Sequence, residues 1–551
     1  MSCRLAATGL LFASLAALST PLAGRPAPQP PAQETGDQVL RIDPLLLAQA
    51  AEVWALASGT DSLLWPGWSA AQTPLLIYLP GEQDVLINHP APPPGFVRYG
   101  GTPSFPGWDV YLRDGETILS LDGQNTSREI AGTRCLVVAD TLSNRRSQME
   151  GRIAAGNGAG PLEFVELATD PYDQMALVVH EAFHVHQELK APGKGANEFQ
   201  LMSYPVLSVD NNTGFALEGE ALAAAMVATE DRSLRKAALR WLGVRAWRRS
   251  LLAPGDVQYE DGIEFSEGLA KYMEHRLFDV LEGRTPGQPL HWAQGFHGYG
   301  DLSPQRANLR DMLLRNMRGE VNVNNAPYGT APLRMRLYYS GMAIGVMLDR
   351  LGATWKEAAM EPTTSLTDLV VMALQPTGEE LQGAITKALE GEDFRHWRKV
   401  KTRLAEAGAA DLQQLVERIE NGPDTTLVVD FSPLGLAGLP LSFTPFGIRV
   451  VDEARTIFGQ IPLKAQPGEG FLMQQTRPSP LLQDSAAQRV SFQLQKRLGR
   501  DDLCQALGLK ALPQGELRDV SLQLPGVDLE LARSTLTWTD GRIVITLLPP
   551  G

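Results

Sequence analysis

Cysteine is scarce in this chain, with three residues in 551, at positions 3, 135 and 504. Cys3 lies ahead of an apolar run rather than behind it, where a lipid-attachment cysteine would stand. The other two cannot build a disulfide framework, and their pairing is open. Net positive charge is also missing. Against 63 Asp and Glu stand 49 Lys and Arg, a formal charge of −14, and no basic cluster suggests a nucleic-acid surface, so DNA, RNA and anionic membranes are disfavoured as partners. The basic stretch Arg240 to Arg249, interleaved with Trp241 and Trp247, reads as arginines paired with nearby helix carboxylates. Past the N-terminus no stretch is long and apolar enough to span a bilayer, and no internal repeat is present. Histidine is sparse too, at eight, which gives weight to any pattern the histidines form.

Arg4, the apolar run Leu5 to Leu18 and the small residues near Ala23-Gly24 read as a signal peptide over 1–24. A Pro-rich linker over 25–37 follows, so the chain is expected to be exported, secreted or periplasmic. At this length two to four domains are expected. Residues 38–165 read as an α+β region: a helix over Asp43 to Ser58, then strands at Leu75–Leu79, Asp84–Asn88, Val110–Leu112, Thr117–Leu121 and Cys135–Val138. Residues 166–423 read as helical, with helices starting near Thr213 and Asp261. The segment 283–333, dense in Gly, Pro and Asn, reads as long and irregular, of the kind that borders a cleft. Residues 424–551 read as β-rich. The expected fold class is therefore α+β and multidomain.

The chemistry concentrates in His180-Glu181-Ala182-Phe183-His184. On a helix, side chains four apart lie on one face, so both imidazoles can reach one metal ion while Glu181 can take a proton from a bound water. Asp170 as cap, Pro171 at the first turn and Asp173 near the positive end favour a helix here. Two imidazoles leave a catalytic zinc site one protein ligand short. The metzincin pattern requires Gly at 187 and His at 190; the chain has Gln187 and Lys190, which excludes that class. Two glutamates are candidates for the third ligand. Glu267 could instead be a helix charge paired with Lys271. Glu218 shares a helix face with Phe215, Leu222 and Ala225, and could instead pair with an arginine such as Arg245. The residues alone leave the choice open.

The order His180-Glu181-x-x-His184, then Glu267-Gly268-Leu269-Ala270-x-Tyr272, then Tyr338-x-x-Gly341 before an apolar helix resembles the gluzincin metallopeptidases, especially the zinc aminopeptidase and thermolysin-like families. The resemblance spans roughly residues 170 to 350. It implies a mainly α-helical zincin-like catalytic domain, Zn²⁺ on His180, His184 and Glu267, Glu181 as general base, and Tyr338, or its neighbour Tyr339, as oxyanion donor. The gap from His184 to Glu267, about eighty residues, is longer than in the aminopeptidases. An inserted helical pair carrying Glu218 would account for it and keeps Glu218 as an alternative ligand. The Gly-x-Met-Glu-Asn motif that holds a substrate amine in aminopeptidases is absent. The expected function is zinc-dependent hydrolysis of peptide bonds in a peptide or protein substrate. The alternatives are a non-enzymatic, zinc-stabilised exported binding protein and a zinc hydrolase of a non-peptide amide.

Overall fold

The computed structural model describes residues 39–549 except 57–61, 70–72, 101–107, 116, 120–124, 141–169, 288–289, 292, 294, 322–328, 437, 443–446, 460, 469 and 540. The expected signal peptide and linker lie outside the described residues. The fold is mixed α and β, arranged as a small N-terminal sheet, a helical middle and a large C-terminal sheet.

Helix α1 (Pro44–Leu56) precedes strands β1 (Leu75–Leu79), β2 (Gln83–Ile87), β3 (Val97–Arg98), β4 (Val110–Asp114), β5 (Thr126–Ile130) and β6 (Thr133–Ala139). They form one sheet in the order β3-β4-β2-β1-β6-β5, in which only the β1–β6 pairing is parallel. The strand expected at Thr117–Leu121 is not formed over 117–119, and 120–121 lie outside the described residues. There the chain turns inward so that Thr117 Oγ1 and the Ile118 amide donate to the buried Asp84 carboxylate.

The helical middle comprises α2 (Pro171–Lys190), α3 (Val209–Val227), α4 (Asp231–Arg249), α5 (Pro254–Ile263), α6 (Leu269–Leu281), α7 (Ser303–Met317), α8 (Thr330–Arg350), α9 (Leu366–Leu374), α10 (Gly378–Glu390) and α11 (Glu392–Asn421). Asp170 caps α2 by accepting from the Tyr172 and Asp173 amides, with Pro171 in the first turn. The helix expected to start near Asp261 begins seven residues earlier, at Pro254. It runs through one wide π turn, Glu264–Gly268, into α6. Glu264 is therefore mid-helix and caps nothing. The segment expected to be irregular contains α7, a 15-residue helix with Pro304 in its first turn. Local composition hid it, because its buried apolar residues are only Leu309, Leu313 and Met317 and its burial comes from α3 and α8.

Trp65 and Trp68 pack edge-on or tilted against Phe183 of α2, and Trp65 meets Tyr272 and Trp355, so the aromatic core lies directly behind the His180–His184 turn. His186 joins this core and not the site. Burial among Trp68 and Phe183 lowers its pKa to about 4 and keeps it neutral.

After α11 come β7 (Thr426–Asp430), β8 (Ile448–Val450), β9 (Arg455–Phe458), β10 (Lys464–Gly468), β11 (Phe471–Gln475), β12 (Leu481–Asp484), β13 (Arg489–Gln493), α12 (Arg500–Ala506), β14 (Glu516–Leu524), β15 (Val527–Thr539) and β16 (Arg542–Leu547). The ten strands form one sheet in the order β10-β11-β15-β16-β7-β13-β12-β9-β8, with β14 also on β15. Cys135 and Cys504 are free and buried. Among the described residues no helix is long and apolar enough to cross a membrane.

Candidate metal centre

Helices α2 and α6 run side by side, and the π turn at the head of α6 reaches α2 through its Glu267 side chain and the Phe265 carbonyl. That turn carries Glu267 to the histidine pair. Glu267 Oε2 lies 3.4 Å from His180 Nε2 and 3.4 Å from His184 Nε2. One ligand atom from each of the three residues falls within 4.8 Å of the others, so the cluster could hold a metal ion.

The tautomers follow from the surrounding hydrogen bonds. His180 Nδ1 lies 2.8 Å from Glu274 Oε1. Burial opposes charge on Glu274, but Lys271 and His180 outweigh it and lower its pKa. An ionised carboxylate only accepts, so Nδ1 donates. The second imidazole is oriented through Gln187. Its Nε2 donates to the Phe265 carbonyl at 2.6 Å, which turns Oε1 towards His184 Nδ1 at 3.0 Å. Both histidines therefore keep their Nδ1 protons and turn Nε2 towards the Glu267 oxygen, where a metal ion would take the place of an Nε2 proton. Burial opposes charge on His180, but hydrogen bonds to Glu267 and Glu274 outweigh it and raise its pKa to about 10. Burial likewise opposes charge on Glu267, yet contacts with both histidines hold its carboxyl far below the usual range. The three groups thus gather positive charge at their centre, which is the demand a divalent cation meets. Two imidazole nitrogens and one carboxylate oxygen suit zinc and other first-row divalent ions.

The two Glu267 oxygens are divided. Oε2 faces the histidines, while Oε1 accepts from Arg334 Nη2 at 2.8 Å. Arg334, on α8, also pairs with Glu198. The Tyr338 ring, one turn on, lies 6.2 Å from His180 at 21°, and burial together with the nearby Glu267 charge pushes its phenol pKa up. Tyr339 points away. It meets Lys271, whose ammonium stands 5.2 Å from its ring centre, behind the Glu274 pair. Glu181 is half-buried beside the pair and has no hydrogen-bond or ion-pair partner among the described residues. Its charge contributes to raising the His180 pKa.

Glycine sets how closely α8 approaches. A Cβ on Gly341 would meet the Glu264 carbonyl at 2.6 Å and the Gly268 Cα at 2.7 Å; one on Gly268 would meet the Gly341 Cα at 2.7 Å. The glycines of Glu267-Gly268 and Tyr338-x-x-Gly341 therefore touch, and that contact brings Tyr338 and Arg334 beside Glu267.

Glu218 is elsewhere. It is fully buried between Arg245 Nη1, at 3.0 Å, and Arg248 Nε. Lys271 pairs with Glu274 at 2.6 Å, three residues on, and not with Glu267. Glu274, Gln187 and Arg334 were not singled out from the sequence. Glu274 had a usable signal, because it lies seven residues past Glu267 on the same helix face. Arg334 had none, since its role depends on the α8 crossing.

No protein-family model, no curated protein and no solved structure matches this chain.

Proposed function

We propose that the chain is an exported, zinc-dependent metallopeptidase whose helical middle is a zincin-like catalytic domain of the gluzincin kind. The observation that carries this reading is the convergence of His180 Nε2, His184 Nε2 and Glu267 Oε2, with the unpartnered Glu181 next to them. Export rests on Arg4 and the apolar run after it.

A bound Zn²⁺ would lower the pKa of a water and polarise the scissile carbonyl. Glu181 takes the proton of the attacking water and passes it to the leaving amine, a role that suits a half-buried carboxylate with no competing donor. Burial and the nearby Glu267 carboxylate push the Tyr338 pKa up, so its hydroxyl keeps its proton and donates it in a hydrogen bond to the developing oxyanion. Glu274 and Gln187 hold the imidazoles in the metal-ready tautomer.

The test is Glu181→Gln, assayed for zinc content and for cleavage of a quenched-fluorescent peptide library. The variant is expected to bind zinc at one equivalent and to lose hydrolysis. Full zinc-dependent hydrolysis by this variant would refute the mechanism. Zinc uptake without hydrolysis by the unaltered chain, with the fourth position closed by a protein atom, would favour the non-enzymatic binding protein.

A further inference from the structure

We propose that the chain holds a second, separate site, for a small organic phosphate, in a cavity of about 410 Å³ between the end of α3 and helices α6, α7 and α8. Arg276 of α6, Arg306 and Arg310 of α7, and Arg350 of α8 all line it, beside His275. Four guanidinium groups converging on one cavity is a concentration of charge that the chain, at −14 overall, must offset locally.

The protein supplies only part of that offset. Glu282 accepts from Arg306 with both oxygens, each at 2.9 Å, and Asp279 Oδ1 lies 3.6 Å from Arg306 Nε. Asp349, the other carboxylate in the lining, accepts from Tyr272 and from Trp355 Nε1, and has Lys356 at 3.3 Å. Arg276 donates to the Leu63 carbonyl at 3.2 Å, and Arg350 to the Ala228 carbonyl. Neither has a carboxylate partner among the described residues, and Arg310 has no hydrogen-bond or ion-pair partner at all among them. Arg276 Nε and Arg306 Nη1 are buried and meet no acceptor among the described residues. Among the described residues, three guanidinium groups thus lack a carboxylate partner and two buried N–H donors lack an acceptor; with Asp279, Glu282, Asp349 and Lys356 counted, the net surplus is two positive charges.

This surplus selects the ligand chemistry. A carboxylate would neutralise one guanidinium. A phosphate monoester brings a charge of about −1.5 to −2 and three acceptor oxygens, which planar guanidinium forks meet well. The space exceeds what a lone phosphate fills and falls within the range of small-molecule pockets. Met226, Val227 and Val346 give it an apolar wall, against which an organic body would lie.

The test is isothermal titration of the full chain with phenyl phosphate and with inorganic phosphate at fixed ionic strength. One saturable site is expected, tighter for phenyl phosphate. Arg310→Gln and Arg350→Gln, both outside the core, should each weaken it about tenfold, the loss of one charge-assisted hydrogen bond, with unchanged circular dichroism. Absence of saturable binding, or affinities in both variants within twofold of the unaltered chain, would overturn the site. Equal affinity for the two phosphates would overturn the organic body. Glu181 and the metal cluster lie elsewhere, so these outcomes do not depend on the peptidase reading.

Discussion

Glu274 touches no metal, yet metal affinity should depend on it. Replacing it by Gln keeps the shape and leaves an amide oxygen able to accept from His180 Nδ1, now 2.8 Å from Glu274 Oε1. What changes is charge. A hydrogen bond to a charged group contributes about 1.5–3 kcal/mol net, against about 1 kcal/mol for a neutral one, so the imidazole loses about 1–2 kcal/mol of support for its Nε2 lone pair. That corresponds to about a fivefold to thirtyfold weaker metal site, overlapping the tenfold to hundredfold usual for lost outer partners. Burial sharpens the effect, since Glu274 and His180 are each 9% exposed in their side chains and solvent cannot replace the lost charge. Lys271, 2.6 Å from the other oxygen, also loses its anion, so some folding stability should fall as well. The two effects separate experimentally. Zn²⁺ or Co²⁺ affinity is read by competition with a chromophoric chelator at fixed pH, and stability by urea unfolding with chelator present. A folded Glu274→Gln variant that binds metal within twofold of the unaltered chain would refute the argument that this carboxylate orients and charges His180.

Gly341→Ala places a methyl against backbone at 2.6 Å, so α8 and the π turn must separate; a loss of about 1–3 kcal/mol from overpacking and weaker metal binding are expected together, measured by urea unfolding and chelator competition. Stability lost without any change in metal affinity would show that the crossing does not position Glu267. Tyr338→Phe should leave metal binding intact and lower the turnover of any cleaved peptide about 10²–10³-fold, and turnover equal to the unaltered chain would remove Tyr338 from the mechanism. Burial opposes charge on Glu260, but Arg248 and Arg249 outweigh it and lower its pKa from an ordinary 4.5 to about 2. A depressed folded pKa contributes stability above the unfolded value that is lost as pH falls from about 4.5 to about 2, here about 3 kcal/mol; urea midpoints that stay flat between pH 5 and pH 3 would contradict it.

What was legible in the sequence is what repeats locally. The α2 helix, its cap at Asp170 and the shared face of His180 and His184 follow from spacing four and from residues in the first turn. The strands after residue 424 follow from runs such as Ile543–Leu547 between turns. Long-range geometry was not legible. The wide turn at Glu264–Gly268 leaves no mark in composition, yet it decides that Glu264 faces Arg245 while Glu267 faces the histidines. The same limit hid α7, whose burial is provided by neighbours, and left Glu218 and Glu267 level as ligands, since both sit on plausible helix faces.

Glu218 has a position that connects it to the site at one remove. The long interval between His184 and Glu267 is occupied by α3, α4 and α5, and the α3–α4 pair meets in a buried ionic cluster. Arg245 of α4 donates to Glu218 of α3 and to Glu264 in the π turn, and Glu264 accepts in turn from Ser340 Oγ of α8. Glu264, Arg245 and Glu218 are each about 1% exposed or less, so removing one partner would strand a buried charge, a loss of about 3–5 kcal/mol. The turn carrying Glu267 is thus held from both sides: by Gly341 and Ser340 of α8, and by Arg245 of the α3–α4 pair. On this geometry α3 and α4 brace Glu267, the proposed third ligand, and the distance in sequence between His184 and Glu267 is spanned by the elements that fix their distance in space.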